Sequence, residues 1–352
     1  MSSEKFFNTK KALITLIAAS LVVIVSLGIR QTFGLFFFDF NADLNISISH
    51  FGFVIGLQLL MWGIFSPIFG FITDRYGGAT AIFIGFLFYL AGLFLFYSGL
   101  NTGYFFTLTI GLLIGIGLGG TAISIPVSVV AKHFPSSNRT IATGIVTCAG
   151  SFGFFVSPLL VRYSLIEIGW EITILYFCFL LGLGLITALF VSTPKTPVGN
   201  NDNNNQTAKE ALKEAFNNKS FIFLTLGFFV CGWHIALVAT HIPTYMMDRG
   251  MPDWTAAMIL ALVGVFNMIG TMGSGYLATK FSKKKVLSAI YLLRGVSLIY
   301  FLYLPPSIFN SVVFGVTFGL LWLSTVPPTN GLVGHIFGTK PVSYTHLTLP
   351  TM

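Results

Sequence analysis

Ten long apolar segments separated by short polar breaks organise this chain: approximately 12–38, 50–72, 80–100, 104–131, 141–163, 170–192, 220–247, 254–279, 286–304 and 308–333. A helix needs about 20 apolar residues to cross about 30 Å of hydrocarbon, and every segment approaches or exceeds that length. The runs are too long and too unalternating for barrel strands, and lipid offers no partner for an open strand edge. The pattern predicts an all-α, polytopic membrane protein in which every span is a helix.

Composition sharpens this picture. Of the 352 residues 55% are hydrophobic and only 9% are charged, where a soluble domain carries about 25% charged residues. A soluble globule and a disordered chain are both excluded on that ground. The net charge of +8 does not indicate nucleic acid, because Lys and Arg punctuate the apolar runs and form no basic face. With the N-terminus placed in the cytoplasm, fifteen of the nineteen Lys and Arg fall on the inner side and two, Arg162 and Arg249, on the outer. That bias follows the positive-inside rule and predicts a multi-pass protein of the cell inner (plasma) membrane with a cytoplasmic N-terminus. The first apolar run is too long for a cleaved signal peptide. Cys148, Cys178 and Cys231 lie inside apolar segments and read as small core residues, not as a disulfide framework or metal ligands.

The longest polar stretch, 193–219, divides six spans from four. Such a division suggests two joined bundles, and a repeat appears at an offset of 205: the segment from Gly70 through Asp74 and Arg75 to Gly77 aligns with that from Gly275 through Lys280 to Ser282. Each lies in the loop after the second span of its half.

The segment Gly70-x-x-x-Asp74-Arg75-x-Gly77 resembles the signature of the major facilitator superfamily, and the resemblance covers nearly the whole chain. Gly28-Ile-Arg30-Gln-Thr-Phe-Gly34, Gly144-Ile-Val-Thr-Cys-Ala-Gly150 and Leu321-Trp-Leu-Ser-Thr-Val-Pro327 look similar to a bacterial branch near the monocarboxylate and oxalate/formate exchangers. The resemblance implies two six-helix bundles: an N-terminal bundle over 1–192, a cytoplasmic linker over 193–219, and an incomplete four-helix C-terminal bundle over 220–340. Residues 341–352 are expected to be a non-native tail of a C-terminally truncated reading frame, and such a chain is expected to be unstable or inert.

Two arginines lie inside spans. Arg30 falls in the outer part of the first, and Arg294 lies nine residues beyond Lys285, about 13.5 Å along a helix axis and near mid-membrane. Embedded cations usually face a water-filled cavity and mark a substrate path. The alternatives are snorkelling for Arg30 and a bond to interhelical backbone carbonyls for Arg294. A guanidinium suits a carboxylate because its planar donors match two oxygens. His234 and His241 share one face of the seventh span, where they serve either as substrate or proton ligands or as interhelical hydrogen-bond groups. The resemblance sets the first and seventh helices opposite one another across a central cavity, so Arg30 and the histidines would approach one site.

All eleven acids can be placed outside the hydrocarbon. Proton coupling would then rest on a histidine or on the substrate, and the embedded positive charge favours an anion. Asp74 and Arg75 are expected to form a cytoplasmic gating latch together with Gly70, Gly77, Gly275 and Lys280. Gly111, Gly115 and Gly119, spaced by four, predict close helix packing. The formal dinucleotide fingerprint Gly115-x-Gly117-x-x-Gly120 follows no strand and implies no cofactor. Pro126, Pro327 and Pro328 are candidate kinks, and Gln58, Asn267 and Asn330 are either interhelical glue or ligands.

The leading reading is a secondary carrier, symporter or antiporter, moving a small organic anion such as a monocarboxylate by alternating access, as a monomer, with a proton or counter-anion as possible partner. The alternatives are an efflux pump for apolar or cationic drugs, or an inactive remnant. No enzyme motif is found, so catalysis is not expected.

Overall fold

The computed structural model describes residues 10–99, 103–134, 136–192 and 217–337. The expected linker up to residue 216 and the expected tail at 341–352 lie outside the described residues. Among those residues every regular element is helical. Nine helical stretches are long and apolar enough to cross a membrane.

The first span begins with α1 (Lys10–Gln31), tightens into a 3₁₀ turn at Phe33–Phe36 and continues as α2 (Phe37–Leu44). It therefore runs past the expected end at residue 38 and stops at Asn45, whose left-handed φ of 53° closes the helix. Ser47 caps α3 (Ile48–Tyr76) by accepting from the His50 N–H at 3.2 Å. Gly77 alone joins α3 to α4 (Gly78–Tyr97), at φ 94° and ψ 157°, a region that only glycine occupies without strain.

The fourth span is assembled from α5 (Gly103–Phe106), a π-helical stretch (Thr107–Leu113), α6 (Ile114–Thr121) and α7 (Ser124–His133). Its break falls at Ala122, which is extended (φ −68°, ψ −173°). Ala122 lies four residues before Pro126, which has no N–H for the Ala122 carbonyl and whose ring crowds it. Helix α8 (Ser136–Ala188) contains an apolar stretch of 51 residues, more than twice what a bilayer needs. A non-helical Gly169 (φ 79°, ψ 171°) divides it into two limbs at the place where the fifth and sixth spans were expected to part.

Beyond the linker come α9 (Lys219–Asp248), α10 (Trp254–Lys280), α11 (Lys283–Tyr303), α12 (Ile308–Leu321) and α13 (Val326–Phe337). The last two form one span broken at 322–325, just before Pro327 and Pro328. Neither proline has an N–H to continue the helix, so the break has the same cause as the one at Ala122.

Phe53, Leu60, Ile64 and Phe71 of α3 are exposed, as expected of a helix side that meets lipid. Lipid supplies no hydrophobic drive between helices, so close approach of backbones matters more. A Cβ on Gly111 would stand 3.3 Å from the Val54 carbonyl oxygen, and one on Gly115 only 2.6 Å from that of Gln58. On α12, a Cβ on Gly315 would stand 3.4 Å from the Ile259 carbonyl oxygen, and one on Gly319 2.9 Å from the Cα of Val263. Ile259 and Val263 lie 205 positions after Val54 and Gln58, and the two α12 glycines 204 after theirs. The same glycine ladder thus joins α3 to the fourth span and α10 to the tenth.

The seam between α1–α8 and α9–α13 is tight at one end. There Arg162 Nη2 donates to both Asp253 carboxylate oxygens, at 2.9 and 3.1 Å. A Cβ on Gly34 would come within 2.4 Å of the Ala239 carbonyl oxygen, and one on Gly264 within 2.4 Å of the Phe155 nitrogen. Further along, Asn267 Nδ2 donates to Ser151 Oγ at 2.7 Å. Gly144, two turns beyond Ser151 on the same face of α8, has nothing within 4 Å of its Cβ position. The seam is therefore closed at the Arg162 end and looser towards the end that carries Asp74.

Candidate functional site

Arg30 is the penultimate residue of α1 and is buried. Its Nε and Nη2 have no hydrogen-bond partner, and these two nitrogens flank one edge of the guanidinium. Tyr89 of α4, fully buried, lies within its electrostatic reach and donates to the Ser26 carbonyl oxygen at 3.4 Å. One turn before Arg30, Ser26 Oγ pairs with Thr121 Oγ1 at 2.7 Å, beside the break in the fourth span. Snorkelling does not describe this arginine, because its guanidinium sits inside the bundle.

Arg294 is completely buried in α11. Its Nη2 donates to the Leu321 carbonyl and to that of Trp322, the latter at 2.7 Å. These carbonyls end α12 at the break and have lost helical partners, so the arginine caps them. The guanidinium carbon also lies 5.8 Å from the Tyr291 ring centre and 5.9 Å from that of Phe318. Nε and Nη1 remain without partners. The interhelical carbonyl bond weighed for this residue is thus present, with two donor nitrogens left over.

His234 is half-buried on α9, within electrostatic reach of Arg294, and its Nδ1 has no partner. One turn earlier Cys231 Sγ pairs with Thr325 Oγ1 at 3.2 Å, at the break in the tenth span. His241 lies apart from this group: its ring faces Gly52 of α3, whose Cβ position is 3.5 Å from the imidazole Cε1. Among the described residues no hydrogen bond joins Arg30 to either histidine. The four candidates therefore sort into Arg30 with Tyr89, His234 with Arg294, and His241 at the closed end of the seam.

The repeat runs through this arrangement. Ser26 and Cys231 are 205 apart, as are Tyr89 and Arg294, and Arg30 corresponds to Ile235 beside His234. Both halves bond a small polar side chain of their first helix to a threonine at a proline-induced break. Tyr89 and Tyr291 were missed in the sequence, where a tyrosine in an apolar run passes for a packing residue.

Asn267, weighed as glue or ligand, is a hub. It donates to Ser151, and its Oδ1 accepts from Thr271 Oγ1 at 3.1 Å and from the Leu323 N–H at 2.9 Å. It thereby ties α8 and α10 to the broken segment of the tenth span. Gln58 Nε2 donates to the Ile110 carbonyl oxygen at 2.9 Å, inside the first half.

At the opposite end Asp74 accepts from Lys132 Nζ at 2.7 Å, while Arg75 lies over the Tyr76 ring at 5.5 Å. Both contacts stay within the first half. Lys280 similarly stacks over Tyr276 at 5.9 Å, a Cβ on Gly275 would stand 3.7 Å from Pro327, and Gly70 has open space beside it. A Cβ on Gly119 would stand 3.0 Å from Phe65. Among the described residues no group of three or more His, Cys, Asp or Glu could hold a metal.

Helical limbs long and apolar enough to cross a membrane, in two repeated sets that meet at a seam, define a polytopic membrane protein. The family model described as Major Facilitator Superfamily matches residues 19–344, and the chain belongs to that family. It is 24% identical over 82% of its length to an agnestins efflux protein of Paecilomyces divaricatus, of which it covers 65%. To a hexuronate transporter of Bacillus subtilis it is 23% identical over 73% of the chain and 62% of that protein. To a nitrite extrusion protein of the same organism it is 22% identical over 71% and 61%. The chain thus spans less than two thirds of the length of these relatives. In fold it is similar to a bacterial homologue of the lysosomal transporter Spinster (TM-score 0.72, 17% identity, 97% of this chain and 80% of that one). It is also similar to a D-xylose–proton symporter (TM-score 0.68, 17% identity, 96% and 85%).

Proposed function

We propose that the chain is a secondary carrier that moves a small organic anion across the cell inner membrane by alternating access, with its N-terminus cytoplasmic. The observation that carries this reading is the unoccupied edge of Arg30. A buried arginine costs about 2.5–3.5 kcal/mol at a span centre, and an arginine whose Nε and Nη2 are both unsatisfied is matched by a carboxylate taking both. Among the described residues no acid pairs with Arg30 or Arg294, so the charge awaits a ligand. Two relatives are named for the anions hexuronate and nitrite. A monocarboxylate remains our preferred substrate, taken by a monomer with a proton or counter-anion as partner.

The seam supports alternating access. It is closed by Arg162–Asp253 and Gly34 at one end and loosens towards the Asp74 end, which on our reading of the positive-inside bias is the cytoplasmic one. The first bundle comprises α1–α8, and α9–α13 supply four spans of the second. Asp74 with Lys132, and Lys280 in the second half, would act as the cytoplasmic latch by exchanging partners across the seam as it closes.

The second reading is efflux of a larger compound, favoured by the name of the agnestins efflux protein. Purified protein in proteoliposomes decides between them. Uptake of radiolabelled lactate, oxalate or glucuronate that Arg30→Lys abolishes supports the anion carrier, whereas efflux of a cationic dye that ignores Arg30→Lys supports the second.

A further inference from the structure

The second half holds polar atoms that no partner satisfies. Arg294 Nε and Nη1, the Tyr291 hydroxyl and His234 Nδ1 are all buried without a hydrogen bond. Tyr291 lies under the Arg294 guanidinium, 5.8 Å from ring centre to guanidinium carbon, and its hydroxyl stands 3.9 Å from the Cβ position of Gly227, two turns before His234 on the same face of α9. Within the membrane such groups cost free energy unless a ligand completes them.

We propose that Tyr291, Arg294 and His234 form an oxyanion subsite in the second half, distinct from the Arg30 edge, and that its occupancy is sensed by the break in the tenth span. The subsite rests on the anion-carrier reading and extends it: the substrate is an oxyanion with at least two acceptor oxygens. Both forked edges of a guanidinium that include Nη2 are engaged at Arg294, because Nη2 bonds the Leu321 and Trp322 carbonyls. An oxyanion that takes Arg294 in a fork must displace one of these carbonyls. The next residue, Leu323, hangs from Asn267, which also holds Ser151 across the seam. Anion binding at Arg294 therefore loosens the segment through which Asn267 ties the two halves together. Tyr291 supplies a hydroxyl to the bound anion and acts as a specificity residue. Cys231 and Thr325 keep the same segment anchored to α9.

Binding of lactate, oxalate, glucuronate and nitrite to the purified full chain, measured by scintillation proximity, tests the subsite. Tyr291→Phe removes one hydroxyl and keeps the ring. Loss of one hydrogen bond to a charged ligand weakens the tightest of the four anions by about tenfold or more. Amide exchange at 321–326 should accelerate when that anion is added to the wild type, a response that a merely structural Tyr291 or Arg294 would not give. If Arg30→Lys abolishes binding while Tyr291→Phe stays within twofold of the wild type, the subsite is overturned and the anion carrier stands. If none of the four anions binds the wild type, the carrier reading fails and the subsite with it.

Discussion

Replacing Gly264 by alanine probes the seam directly. The added Cβ would stand 2.4 Å from the Phe155 nitrogen, 2.7 Å from the Phe154 carbonyl carbon and 2.8 Å from the Phe155 Cα. Comfortable contact begins at about 3.5 Å, so α8 and α10 must part by about 1 Å. The obstacle is backbone on both sides, and no rotamer change relieves it. One turn away the Asn267–Ser151 bond of 2.7 Å would stretch beyond hydrogen-bonding range. Overpacking of this kind costs about 1 to 3 kcal/mol, and the cost falls only on the state in which this end is closed. The population of that state should fall about 5- to 150-fold relative to one in which the helices separate. Spin labels at Ile166 and Met247, both exposed near that end, in a background with the three cysteines replaced, report the change by pulsed dipolar spectroscopy. Gly144→Ala is the control, since its Cβ meets nothing within 4 Å. The expected result is a longer distance distribution for Gly264→Ala and an unchanged one for Gly144→Ala. Identical distributions in the two variants would refute the claim that this contact sets the closed seam.

Other perturbations follow from the same contacts. Gly77→Ala forces a side chain into φ 94° and should cost about 1 to 3 kcal/mol, visible as a lower midpoint of thermal unfolding in detergent. Asn267→Leu strands the Leu323 N–H and should cost about 1 to 3 kcal/mol; it should also speed amide exchange around residue 323, whereas Gln58→Leu should leave that region untouched. Lys132→Gln breaks a pair whose members are 30% and 49% exposed, so stability should change by less than about 1 kcal/mol. Its transport rate should change more, if the Asp74 end opens and closes in each cycle.

Much of this architecture is legible in the chain because lipid leaves few options. Apolar length alone separates the spans, and the break between the fifth and sixth is marked by Gly169 and Trp170 although the helix runs almost continuously through it. The glycine spacing at 111, 115 and 119 announces close packing before any partner is known. What the sequence withholds is whatever depends on which helices become neighbours. Lys132 is 58 residues from Asp74, and Arg162 and Asp253, 91 apart, read only as two charges in loops of the same side. Arg294 is legible as an embedded cation. Its bond to the tenth span requires knowing that the helix breaks at 322–325, ahead of Pro327 and Pro328, and leaves the carbonyls of Leu321 and Trp322 beside it. The offset of 205 carried an unused signal, since it sets Tyr89 on Arg294 and Ser26 on Cys231.

The most direct test of the anion carrier is counterflow in proteoliposomes loaded with unlabelled carboxylate, comparing the wild type with Arg30→Lys at equal reconstituted amounts. A charge-preserving lysine retains the cation and loses the two-pronged edge, so the account predicts accumulation of labelled oxalate or lactate in the wild type and a loss of at least tenfold in the variant. Equal accumulation by the two proteins would contradict it.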